Sequence, residues 1–203
     1  MERRFTRLRR GPTGESPGAS DVPDDGMCLS VFLVLSSPES AGAVLMGRID
    51  PSAAWPVIGA LDAARAMAVG DRWMLPSSQL VFFESPEDGA RRILKEQLGS
   101  APIPLDGPVV FSEAYRKPGT SAMDPHWDLH FVFRGRWPSL TPPRARAWRA
   151  LEFVDVRRTD SASIARNQGD VLGLVGLPPR GAGRDAATTR RSRPTAPERT
   201  RRR

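Results

Sequence analysis

Two runs of apolar and β-branched residues, Cys28–Leu35 and Ala43–Ile49, flank the turn-rich stretch Ser-Ser-Pro-Glu-Ser-Ala-Gly and predict two strands joined by a turn. Residues 51–70 are irregular, with a short helix expected over Leu61–Ala68. Another short apolar run, Gln79–Phe83, follows Trp73, Leu75 and Pro76. The clearest element is a helix over 85–99. Ser85 stands at the cap, Pro86 at the first helical position and Asp88 three residues after the cap, a Ser-x-x-acid capping box. Ala90, Leu94 and Leu98 recur at spacing four, and Gly99 is placed to end the helix. Val109–Tyr115, Trp127–Phe133 and Leu151–Val156 read as further strands, and residues 161–173 as weakly helical. Strands, one central capped helix and more strands predict a sheet with helices packed on it, an α+β class.

The chain has 203 residues, 39% of them hydrophobic, enough for one well-filled domain. Charge divides it further. The net charge is +7, but residues 1–10 carry +4 and residues 178–203 carry +7, leaving 11–177 at −4. The expected organisation is therefore a basic N-terminal tail over 1–26, a folded domain over 27–176 and an Arg-rich tail over 177–203, both tails disordered. Met27 stands directly before the first strand, a second candidate start. The single cysteine, Cys28, excludes a disulfide framework and a cysteine-rich zinc module. No apolar run approaches the roughly 18–20 residues of a membrane span, and the charged start has no apolar segment after it. A soluble cytoplasmic protein is the expectation.

The stretch from Trp73 to Gly99 resembles the signature of the Nudix family, G-x5-E-x7-R-E-U-x-E-E-x-G-U, where U is a bulky aliphatic residue. Anchored on Gly99, the register puts Glu84 at the first acid, Arg92 at the arginine, Leu94 at the aliphatic position and Glu96 at one of the paired glutamates. The preceding Trp73-x-Leu75-Pro76 looks like the family's entry to this box, Trp127–Phe133 like a later strand and Gly169–Leu172 like part of a closing helix. The resemblance covers about 27–176 and implies an α/β/α sandwich around a central mixed sheet. It also implies that Glu84 and Arg92 pair structurally and tie the loop to the helix. A surface pair of little worth is the plainer alternative.

Departures from the signature bear on chemistry. Ser78 replaces the first glycine, Ile93 the glutamate after the arginine, Gln97 the second paired glutamate and Ser100 the last aliphatic residue. The family's helix carboxylates bind divalent metal, and positions 93, 96 and 97 are neighbours on one helix face. Here Glu96 keeps an anionic oxygen, Gln97 a neutral carbonyl, and Ile93 nothing, a weak site for Mg²⁺ or Mn²⁺ unless substrate phosphates or other side chains complete it. Glu96 and Gln97 are the catalytic candidates, with Glu96 as metal ligand; a solvated helix face is the alternative for Glu96. Glu87 and Asp88 read as acids favoured by the helix dipole, with a metal role as the alternative.

A second constellation is Asp124-Pro-His-Trp-Asp-Leu-His130. On a strand, His126, Asp128 and His130 share one face by the period of two, suited to a ligand, a transition metal or an ordinary polar sheet face. With Trp127 they are the substrate-binding candidates, and Glu113 is a further candidate base. Trp55 and Trp127 are candidates for stacking on a nucleobase, packing being the commoner use.

Three functions follow from these readings. The first is a Nudix-type hydrolase of a nucleoside diphosphate-linked substrate, using a divalent metal. The second is a Nudix-fold module that binds a nucleotide-like molecule without turnover. The third is an RNA-associated protein that uses its Arg-rich tails, by salt-dependent phosphate contacts. A homodimer through a sheet edge is expected among proteins of this kind.

Overall fold

The computed structural model describes residues 7–8, 27–61, 63–115, 126–165 and 168–181; the side chains of 7, 8, 27, 113–115, 126 and 127 lie outside the described set. The expected tails therefore fall almost wholly outside it. Strands are β1 (Arg7–Leu8), β2 (Met27–Ser36), β3 (Ala43–Ile49), β4 (Ser77–Gln79), β5 (Leu105–Tyr115), β6 (His126–Arg136) and β7 (Trp148–Asp155). Helices are α1 (Trp55–Ile58), α2 (Ala63–Val69), α3 (Pro86–Leu98) and α4 (Gln168–Leu174), with two 3-10 turns before α4. The two-residue strand β1 pairs with the start of β2, inside a segment expected to lack structure.

The seven-stranded sheet runs β5-β6-β2-β3-β7, with β1 and β4 also bonded to β2. It is mixed: β2 and β6 are parallel, in register from Met27 beside Trp127 to Ser36 beside Arg136, and the other pairs are antiparallel. Strand alternation sorts side chains into two layers. Val31, Leu33, Leu35, Leu45 and Phe133 pack on one face with Ala90, Ile93, Leu94 and Leu98 of α3. Phe32, Val34, Val44, Met46 and Val132 pack on the other with Val171 and Leu172 of α4. The fold is the α/β/α sandwich around a mixed sheet that the sequence implied. No helix among the described residues is long and apolar enough to cross a membrane.

α3 forms where its local signals place it. Ser85 Oγ accepts from the Asp88 amide and donates to the Asp88 carboxylate, and Gly99 ends the helix at φ 61°. The bond from Ser85 and the nearby Arg91 hold the Asp88 carboxyl below its ordinary value. Only glycine adopts that left-handed cap without cost.

Residues 79–83 depart from the expected apolar strand. The strand ends at Gln79, the Leu80 amide still donates to Leu29 O at 2.9 Å, and the chain then turns over Val81–Glu84, where the Glu84 amide donates to Val81 O at 3.0 Å and the Val81 amide donates to Glu84 Oε2 at 2.9 Å. The carboxylate competes successfully for the strand's amide, so Phe82 and Phe83 project into solvent. The helix expected over 61–68 is α2, preceded by the separate turn α1, where Pro56 sits in the first turn.

Candidate functional site

The loop before α3 and the helix itself are held by one guanidinium. Arg92 donates to Glu84 through Nε at 2.6 Å and Nη2 at 2.8 Å, to Gln79 O at 2.9 Å and to Ser78 Oγ at 3.2 Å. Both charged side chains are nearly buried, at 11% and 12% exposure. That is a bidentate, desolvated pair with its remaining donors used on the loop, so neither partner is replaceable by charge alone. Gly89 lets the loop lie close: a Cβ there would meet Leu80 Cδ2 at 2.8 Å.

Beyond the clamp the three ligand positions separate. Ile93 is fully buried in the core with Leu94. Gln97 is also fully buried. Its Nε2 donates to Ser77 O at 2.7 Å and Ile58 O at 2.8 Å, and its Oε1 accepts from the Ser77 amide at 3.2 Å. The amide of Gln97, a catalytic candidate from the sequence, ties β4 and α1 to α3 and is buried. Glu96 points the other way.

Glu96 lines a cavity of about 790 Å³ with Asp50, Ser52, Ile58, Arg146 and Arg149 among its walls. The backbone builds this place in three moves. Trp148 Nε1 donates to Gln97 O at 2.8 Å, drawing the start of β7 to the end of α3. Trp148 fits because it lies over Gly47, where a Cβ would sit 2.1 Å from its ring. Asp50, just after β3, takes the Ser52 hydroxyl at 2.7 Å and amide at 2.9 Å on Oδ1, and its amide bonds Ala147 O at 3.0 Å. Those two Ser52 bonds, with Arg149 nearby, hold the Asp50 carboxyl below its ordinary value. An ionised acid thus shares the cavity with Glu96 and two guanidiniums. Asp50, Ser52, Arg146 and Arg149 were not singled out from sequence. An Asp-Pro-Ser turn and the Arg-x-x-Arg spacing were the available signals, and both are common on surfaces.

The His/Asp constellation lies elsewhere. β6 begins at His126, so the shared face is correct in backbone terms, while the side chains of His126 and Trp127 lie outside the described residues. Asp128 and His130 are buried at 9% and 2% exposure. His130 stacks on Phe111 at 4.7 Å and leans on Phe32 at 5.1 Å, on the α4 side of the sheet. Burial pushes the His130 imidazole down to about 4. α3 and Glu96 are on the opposite side: strand parity separates the substrate-binding candidates Asp128 and His130 from them by the thickness of the sheet. Trp55 is likewise not a stacking surface. It is 1% exposed, edge-on to Trp148 at 4.8 Å, with Nε1 bonded to Asp50 O.

Among the described residues no three His, Cys, Asp or Glu side chains gather as a metal cage. The hard oxygens facing the cavity, Glu96 and Asp50, suit Mg²⁺ or Mn²⁺ of the kind held by one or two carboxylates and completed by substrate phosphates.

No family profile matches the sequence, and comparison with curated proteins finds no match. Solved structures with similar folds include an Ap4A hydrolase from C. elegans, at 15% identity and a TM-score of 0.46, covering 73% of this chain and 95% of that one. The dihydroneopterin triphosphate pyrophosphohydrolase of E. coli matches at 14% identity and TM-score 0.44, covering 63% and 80%. The Nudix domain of Shewanella oneidensis NrtR, crystallised with ADP ribose, matches at 14% identity and TM-score 0.40, covering 63% and 72%. At these identities and scores, nothing about substrate or chemistry transfers from them. The chain's own α/β/α sandwich and its clamped loop–helix segment, Glu84 to Gly99, have the arrangement that the sequence resemblance implied.

Proposed function

We propose that this chain is a Nudix-type hydrolase of a nucleoside diphosphate-linked substrate bound in the Glu96 cavity. The observation that carries the reading is the lining of that cavity: the one box carboxylate that faces outward meets a second, ionised carboxylate and two guanidiniums. Arg146 and Arg149 neutralise phosphate oxygens, Arg149 in the bidentate geometry a guanidinium offers. Glu96 and Asp50 would hold a divalent ion, with diphosphate oxygens completing its ligands. When bound, that ion supplies charge neutralisation at the phosphoryl oxygens. Ile58 and the alanines at 53, 54 and 147 offer the apolar wall a base or sugar needs.

A second reading has its own support. Ile93 and Gln97 belong to the core, leaving one of three helix positions for metal, as a pocket retained for binding alone would have it.

One assay separates them. A panel of nucleoside diphosphate-linked compounds is incubated with Mg²⁺ or Mn²⁺ and the wild type or Glu96→Gln, following nucleotide release. The hydrolase reading expects metal-dependent turnover that falls about 10²-fold or more in the variant. Turnover equal in both proteins refutes the Glu96 site. Absence of turnover, with thermal stabilisation of the wild type by the same compounds, establishes the binding module instead.

A further inference from the structure

Arg149 reaches the cavity rim from the start of β7, and its guanidinium is already engaged from behind. Its Nη2 meets Asp71 Oδ1, while Arg48 Nη1 approaches Asp71 Oδ2 at 3.4 Å. The Arg48 guanidinium in turn lies 4.5 Å from the centre of the Trp73 ring. Asp71 is not part of the cavity lining. Its backbone is nonetheless fixed: the next residue, Arg72, bonds Val69 O at 3.2 Å, and Trp73 bonds Ser163 O at 2.8 Å.

As a stabilising device this pair is poor. The Arg149 and Asp71 side chains are 55% and 67% exposed, and exposed ion pairs contribute little. Its consequence is positional. Two guanidiniums share one carboxylate, so the trio keeps a net positive charge, and Arg149 has five donor hydrogens of which Asp71 occupies a minority.

We propose that Asp71 is a positioning residue that presets Arg149 for a phosphate group of the cavity's ligand. The inference rests on the phosphate-binding reading above. An arginine loses much rotamer freedom when it clamps an anion, and a tether that restricts the side chain beforehand lowers that cost. The alternative is that Asp71 competes with the ligand for Arg149. The two make opposite predictions, because removing Asp71 also removes a negative charge near an anion site. Electrostatics alone makes Asp71→Asn bind anions more tightly, whereas loss of a tether weakens binding.

Calorimetry on the full chain, with ADP and inorganic pyrophosphate as separate probes, decides between them. Asp71→Asn is expected to weaken binding about 3- to 10-fold, Arg149→Gln at least as much, and the double variant no more than Arg149→Gln alone. Thermal unfolding of Asp71→Asn at the wild-type temperature shows that the loss is not unfolding. Asp71→Glu, which keeps the carboxylate, is expected to restore part of the affinity. If the wild type binds the probes and Asp71→Asn binds equally or more tightly, the inference is overturned and the cavity reading stands. Additive losses in the double variant also overturn it. Failure of the wild type to bind either probe overturns both.

Discussion

Replacing Gln97 by Glu restores the acid that the Nudix signature carries at this position, and the structure predicts that the restoration harms the protein. Gln97 Nε2 donates to Ser77 O at 2.7 Å and to Ile58 O at 2.8 Å. An ionised glutamate has only acceptor oxygens where that nitrogen was, so both carbonyls lose their donor, whereas the protonated acid keeps one O–H and serves one of them. Each unsatisfied, desolvated carbonyl costs about 1–3 kcal/mol, so about 1–3 kcal/mol for the protonated acid and about 2–6 kcal/mol for the ionised one. Ionisation adds the desolvation of a buried charge, which raises the carboxyl pKa above its unfolded value of about 4.3. The sign follows from linkage: a raised carboxyl pKa gives a folded state that binds its proton more tightly than the unfolded one. Stability relative to wild type is then greatest below pH ~4.3 and falls as pH rises. Urea unfolding followed by tryptophan fluorescence reads this directly. With a slope of about 2 kcal/mol/M, a loss of about 4 kcal/mol moves the midpoint by about 2 M. A Gln97→Glu protein with the wild-type midpoint at pH 7, or with metal-dependent hydrolysis gained at no loss of stability, refutes the structural role argued for Gln97.

Arg92→Ala strands the buried Glu84 carboxylate and is expected to cost about 3–5 kcal/mol in urea unfolding, with Arg92→Lys recovering little of it; a cost below about 1 kcal/mol contradicts the clamp. Gly47→Ala puts a methyl into the Trp148 ring and is expected to cost about 1–3 kcal/mol by overpacking, read as a fall in Tm together with weaker ligand binding at the cavity. His130, pushed down to about 4 by burial, contributes stability that is whole above its ordinary pKa of 6.5 and is lost as pH falls toward 4. The shift corresponds to about 3 kcal/mol, and the pH dependence between those values should be shallower in His130→Phe; identical pH profiles for the two proteins contradict it.

Much of α3 was legible because its signals are local. Ser85, Pro86, Asp88 and Gly99 act on backbone groups a few residues away, so the sequence predicted both ends of the helix. The Glu84–Arg92 contact could be inferred only through resemblance, since eight residues of spacing do not dictate a bidentate bond. Most strands were readable from apolar, β-branched runs, Gln79–Phe83 excepted, and the strand period of two put Asp128 and His130 on a common face. It could not say which face carries α3, because parity defines two sides and leaves their neighbours to topology. The parallel seating of β6 beside β2 decided that, sending His130 to the α4 layer and Phe133 to the α3 layer.

The same limit governed the site. Helical spacing makes 93, 96 and 97 neighbours, yet the arc they span crosses the boundary between core and solvent. Packing put Ile93 and Gln97 inside and left Glu96 at the cavity. Asp50, Arg146 and Arg149 come from chain segments about a hundred residues apart in sequence, joined only when β3 and β7 pair and Trp148 bonds the end of α3. Local hydrogen bonding and periodicity are written in neighbouring residues; the direction a side chain faces and the company it keeps depend on contacts that exist only once the sheet is assembled.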